Sequence, residues 1–204
     1  MQLDPGETST RDLYSWMVRL ITPRPIAWVS TLSVDGAANL APFSFFNGVG
    51  ANPPTIMFCP ANKRDGTPKD TLANVRRSGQ FVVNVVTESF AQAMNLTSAE
   101  LDSEVDEFEF AAIDKAESKV VTPPRVARCA AAFECELHQT IQLAAGPGGA
   151  NIVIGRIVWL HVGDELLDEQ GNFDAARMNT IGRMGGDGYV RTSDRFSMPR
   201  PRNS

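Results

Sequence analysis

A chain of 204 residues with 43% hydrophobic and 21% charged side chains has the composition of an ordinary folded domain. That length buries a core without help from disulfides or metals. With Lys+Arg at 19 against Asp+Glu at 24 the net charge is −5, which argues against nucleic-acid binding by phosphate neutralisation; the one basic cluster is short, Arg191, Arg195, Arg200 and Arg202.

Along the chain, residues 1–12 read as a mobile lead-in, and Met1–Thr10 lacks the basic and apolar regions of a secretory signal. Leu13, Trp16, Met17 and Leu20 recur at helical spacing, so a short helix is expected over Asp12–Leu20, stopped by Pro23 and Pro25. Pro25–Leu32 is a strand, Val34-Asp35-Gly36 a turn, and Ala37–Phe46 a returning extended segment in which Pro42 implies an edge or a bend. After a turn at Asn52-Pro53-Pro54, Thr55–Cys59 is a third strand. Asn62–Pro68 is a polar loop, followed by a helix over Asp70–Ser78 with Asp70 as N-cap, Leu72 and Val75 inward and Gly79 as terminator. Phe81–Val86 is a strand and Ser89–Thr97 a helix, while the acidic stretch Ser98–Thr122 reads as loop.

Phe133–Leu143 alternates, with Phe133, Cys135, Leu137, Ile141 and Leu143 on the apolar face and Glu134, Glu136, His138, Thr140 and Gln142 on the polar one. Asn151–Val162 is apolar at both parities and needs cover on both faces, from a helix or a second subunit. Strands without regular β-α alternation exclude a doubly wound sheet and predict a mainly β fold with inserted helices, an antiparallel barrel closed or split. No stretch has the roughly 18 apolar residues of a membrane helix, so no membrane partner is expected. Cys59, Cys129 and Cys135 are odd in number with no Cys-x-x-Cys, which predicts a reducing, cytoplasmic setting. His138 and His161 have no metal-ligand spacing, and no metal is expected.

No nucleophile elbow, zinc signature, Walker loop or dinucleotide fingerprint is present, so chemistry would have to come from a cofactor. Gly182–Gly188 reads as a flexible loop rather than a phosphate cradle. Three blocks, TPRPIAWVST at Thr22–Thr31, NLAPFSFFNGVGANPP at Asn39–Pro54 and KDTLAN at Lys69–Asn74, resemble the flavin reductase-like family of FMN-binding split β-barrels. Gly155–Asp164 and Arg183–Tyr189 extend that resemblance in the same order. It implies a split antiparallel β-barrel over residues 13–182, FMN held at a homodimer interface, hydride from NADH or NADPH, and in many members transfer of reduced flavin to a partner monooxygenase.

The resemblance places the FMN contacts among Arg24, Trp28, Ser30, Thr31, Asn39, Ala41, Pro42, Phe43, Ser44, Asn47, Lys69, Asp70 and Thr71. The residues themselves allow alternatives. Asn39–Phe46 suits a flavin ring or a bent edge strand with core phenylalanines. Lys69–Thr71 suits a terminal phosphate or a solvated helix start, with Asp70 capping rather than touching an anion. Trp28 fits ring pocket or core; Arg24 fits phosphate, nicotinamide or surface; His161 fits nicotinamide chemistry or a structural bond. One departure is Gly50-Ala51, where the family often carries a serine before the Pro-Pro step. The segment 183–204 reads as a tail or a cover for the site, with Arg183 and Tyr189 near the nicotinamide. Competing functions on this fold are an FMN enzyme acting on a small organic substrate and a non-enzymatic FMN-binding redox module.

Overall fold

The structure is a computed structural model in which residues 1–201 are described; Arg202 lies outside them. Its centre is a seven-stranded antiparallel sheet. The strands are β1 (Ala27–Leu32), β2 (Ala38–Phe43), β3 (Phe46–Ala51), β4 (Pro54–Phe58), β5 (Gln80–Val85), β8 (Ala131–Gln142) and β9 (Asn151–Val162), in the order β2-β1-β5-β8-β9-β4-β3. Two small ladders, β6 (Lys115–Ala116) with β7 (Arg125–Val126) and β10 (Ile181–Arg183) with β11 (Tyr189–Arg191), complete the strands. The expected break after Gly182 falls inside β10.

Both faces of the sheet are covered next to β1. Val29 joins Leu72, Val75, Phe58 and Phe81 beneath α2 (Asp70–Ser78). Trp28 turns the other way, to Leu40, Met94 and Phe108 beneath α3 (Ala91–Leu96) and α4 (Glu107–Phe110). This two-sided burial explains why Pro25–Leu32 reads as a continuous apolar run. Gly155 of β9 faces Phe81 so closely that a methyl group there would lie 2.3 Å from the ring, so the strand must carry glycine at that point.

Helix α1 (Thr10–Leu20) begins inside the expected lead-in, because Ser9 caps it by accepting from the Asp12 N–H. Its buried residue is Val18, whereas Met17 and Leu20 of the predicted inward stripe lie 48% and 74% exposed. The helix is tied down through its C-terminal carbonyls, which turns that stripe outward. Gly79 ends α2 in the left-handed conformation, as expected, but the N-cap is Lys69 and Asp70 is the first helical residue. Ser98–Thr122 is not all loop: Asp106 caps the one-turn α4 by accepting from the Phe108 N–H at 2.9 Å. Four residues are too few for any periodic signal.

The long β8–β9 pair shows the largest departure. Glu134, predicted on the solvated face of β8, is fully buried. β9 is buried at Asn151, Val153 and Gly155, but Trp159, Leu160 and Val162 are exposed, so the expected cover over its second half does not come from the described residues of this chain. No helix among the described residues is long and apolar enough to cross a membrane.

Candidate functional site

A cleft of about 540 Å³ opens along edge strand β2. Asn39, Ala41, Pro42, Phe43 and Ser44 form its floor. Pro42 is tolerated there because an edge position can forgo a ladder donor. One end is the start of α2, with Lys69, Asp70 and Thr71. The other end holds Tyr14, Arg183 and Tyr189, and the segment Met94–Leu101 with Glu107 forms a wall.

The α2 end is built to attract an anion. No side chain caps the helix, so its first N–H groups stay available, and the helix dipole adds partial positive charge. Lys69 stands half-buried at this point. The Asp70 carboxylate, which would repel an anion, is bound by Lys63 Nζ at 2.7 Å. Thr71 Oγ1 accepts from Asn39 Nδ2 at 3.0 Å, which couples the helix to the cleft floor. Glu107 Oε2 accepts the Leu40 N–H at 3.0 Å, satisfying a donor of the edge strand. Burial, reinforced by the Asp70 and Asp106 charges, pushes the Glu107 carboxyl above its ordinary range despite that bond.

Several residues placed at the site by sequence are used elsewhere. Arg24 is 4% exposed, not a surface group. Its Nη1 donates to Val18 O at 2.6 Å and Ile21 O at 2.7 Å, its Nη2 to Met184 O at 3.1 Å, and its Nε to Ser44 Oγ at 3.2 Å. Arg24 therefore clamps the negative end of α1 and the Met184 loop onto the cleft floor. Trp28 is a core residue whose indole donates to Thr97 Oγ1 at 2.8 Å. Ser30 and Thr31 are fully buried; Ser30 Oγ donates to Pro124 O, and Thr31 Oγ1 accepts from Asn74. Asn47 is exposed on β3 and binds the Gly48 N–H, away from the cleft lining. His161 does not line the cleft, and its Nε2 meets Glu134 Oε1 at 2.6 Å.

The structure thus brings together Asn39, Ala41, Pro42, Phe43, Ser44, Lys69, Asp70, Thr71, Arg183 and Tyr189. Sequence reasoning missed Lys63, Arg64, Glu107 and the 94–101 wall. The usable signal for Glu107 was Asp106, a capping residue two positions before Phe108. Among the described residues no group of three or more His, Cys, Asp or Glu is arranged to hold a metal.

Comparison with known proteins yields a concordant set. The family model of the flavin reductase like domain matches residues 17–181. An uncharacterized protein of Aquifex aeolicus is 40% identical over 191 residues, covering 94% of this chain and 95% of that one. Nitrilotriacetate monooxygenase component B from Bacillus cereus superposes with a TM-score of 0.91 at 34% identity, over 97% of this chain and 98% of that one. The 2-nitrobenzoate 2-nitroreductase of Pseudomonas fluorescens gives a TM-score of 0.88 at 31% identity, over 98% and 96%.

Proposed function

The chain belongs to the flavin reductase-like family, and from that premise we propose that it is an FMN-dependent oxidoreductase accepting hydride from NADH or NADPH. The observation that carries the reading is the cleft: an uncapped helix start with Lys69 at one end, continuous with a floor of edge-strand residues. Its volume of about 540 Å³ suits one mononucleotide. The anion end at the α2 start favours one terminal phosphate, and hence FMN over FAD. The split-barrel arrangement of the family accounts for a sheet that leaves β2 as an edge.

When bound, FMN supplies a ring that accepts hydride and passes it on. The protein's part is placement. Lys69 and the first α2 N–H groups would hold the phosphate, with Lys63 keeping Asp70 from opposing it. Thr71 orients Asn39, and Arg24 orients Ser44, so the polar groups of the floor are set before a ligand arrives. No proton-transfer residue is required for hydride transfer itself.

Anaerobic mixing of the protein and FMN with NADH or NADPH tests the reading, and loss of the visible flavin absorbance is expected with at least one nucleotide. Tight FMN binding with no bleaching by either would exclude the reductase. The remaining reading would be reduction of a small organic acceptor, which the similarity to the nitroreductase favours. The likeness to a monooxygenase component supports a partner oxygenase that receives reduced flavin. We further propose a homodimer working in the cytoplasm. Its support is the uncovered apolar surface of one copy, with Tyr14, Met17 and Leu20 on α1 and Trp159, Leu160 and Val162 on β9. Sedimentation at micromolar concentration should show twice the 22.2 kDa chain mass, and a stable monomer would remove the interfacial site.

A further inference from the structure

The loop that brings Lys63 and Arg64 to the cleft is held from outside it. Asn151, the first residue of β9, is buried and does not line the cleft. Its Nδ2 donates to Asn62 Oδ1 at 2.9 Å, Gly149 O at 3.1 Å and Pro60 O at 3.2 Å, and its Oδ1 accepts from Arg76 Nη2 at 3.1 Å. Asn62 in turn donates through its backbone N–H to Gly149 O at 2.9 Å and through Nδ2 to Gly146 O at 3.0 Å. The β8–β9 turn thus backs the loop, so closely that a methyl group on Gly66 would lie 3.2 Å from Gly146 Cα. Arg76 lies in the last turn of α2, and Lys63, next to Asn62, binds Asp70 at the start of that helix. The contacts Arg76–Asn151–Asn62 and Lys63–Asp70 therefore close a ring on α2, whose two attachment points are about 9 Å apart along the helix. Between Arg64 and Pro68 no residue of the loop is buried, so its position depends on these anchors and not on a core of its own.

We propose that Asn151 is a positioning residue: through Asn62 and Arg76 it sets the loop 62–68 against the α2 start, and thereby sets how strongly the cleft holds an anion. Both polar atoms of its side chain are bonded within the protein, so it acts through Lys63 and not on a ligand. With the loop fixed, Lys63 Nζ stays on the Asp70 carboxylate at 2.7 Å. With the loop released, the two charges drift apart into water, where their attraction is weak, and Asp70 faces an incoming anion uncompensated. The anion clause rests on the flavin reading's use of the α2 start; the loop clause does not.

The test compares Asn151→Ala, Arg76→Ala and Arg76→Lys with wild type, well below the melting temperature of each. One readout is the rate of native-state trypsin cleavage after Lys63 and Arg64, with the cut sites identified by mass spectrometry. The other is the ratio of FMN to riboflavin affinity, from fluorescence titration. Asn151→Ala is expected to speed cleavage at those two bonds about tenfold and to lower the ratio about tenfold, with riboflavin affinity close to wild type. Arg76→Ala should move both readouts the same way by less, and Arg76→Lys, which keeps a donor of similar reach, should return them towards wild type. Arg76 is exposed, so its variants keep the test decisive even where Asn151→Ala does not fold. Unchanged cleavage in whichever alanine variants fold overturns the proposal. Faster cleavage with an unchanged ratio also overturns it, leaving Asn151 an anchor of the loop alone, and so does equal loss of FMN and riboflavin, which marks general damage to the fold. If wild type holds FMN no better than riboflavin, the flavin reading falls, and calorimetric titration with sulfate, which asks only for an anion, decides the positioning claim by the same comparison; no sulfate binding by wild type would then overturn it.

Discussion

Replacing Glu134 with alanine is expected to destabilise the protein by about 3–5 kcal/mol. The carboxylate has no solvent exposure and accepts the N–H groups of Lys119 and Val120 at 2.6 Å and of Val121 at 3.0 Å, as well as meeting His161 Nε2 at 2.6 Å. It thereby pins the 119–121 segment to the middle of β8. Alanine leaves those donors without an acceptor, and glutamine sets an NH₂ against one of them, so both variants should unfold earlier. For a chain of this size the alanine variant's melting temperature should fall by roughly 10 °C. A shift of only a degree or two would show that water replaces the carboxylate at little cost.

The pH dependence of the same group has a defined sign. Burial alone would raise the Glu134 carboxyl, but the three backbone bonds and His161 together hold it below its ordinary value. Its contribution is therefore fully present above the unfolded carboxyl pKa, about 4.3, and is lost as pH falls through the lower folded value. Urea midpoints of wild type and Glu134→Ala should converge in acid. This pairing also gives His161 a structural task that sequence allowed as an alternative to nicotinamide chemistry. His161→Gln should accordingly affect stability more than turnover.

The second large effect is expected at Lys69. A charge-assisted hydrogen bond to phosphate is worth about 1.5–3 kcal/mol, so Lys69→Ala should weaken FMN roughly 10- to 150-fold. Riboflavin, which lacks the phosphate, should bind the two proteins alike. Fluorescence titration with both ligands separates the cases: equal loss for FMN and riboflavin would mean that Lys69 supports the fold of the α2 start rather than the anion. Thr71 is the poorer choice for this test, since it is 2% exposed and already accepts from Asn39.

Local pattern was informative wherever neighbours in sequence are also neighbours in energy. Alternation located β8, Gly79 marked the end of α2, Pro42 marked an edge, and the Leu72/Val75 spacing found the buried face of that helix. β3 was missed because Gly48 and Gly50 have low strand propensity; it forms as the hairpin partner of β4, joined at Asn52-Pro53. Lys69–Thr71 was legible as a candidate anion end because a helix start and its lysine are contiguous, although the N-cap is Lys69 and not the expected Asp70. Tyr14, Met94–Leu101, Glu107 and Arg183 come from four other parts of the chain, and no spacing rule connects them.

From sequence alone came the mainly β class, most elements, the family resemblance and the candidate end of the cleft at Lys69–Thr71. The tertiary structure decided which polar groups are free to meet a ligand. Arg24 looked exposed between two prolines, yet carbonyls of α1 and the Met184 loop absorb its donors. Glu134 looked solvated on an alternating strand, yet the 119–121 backbone encloses it. The physical reason is that a buried polar group must be satisfied by partners, and those partners are supplied by chain segments far away in sequence.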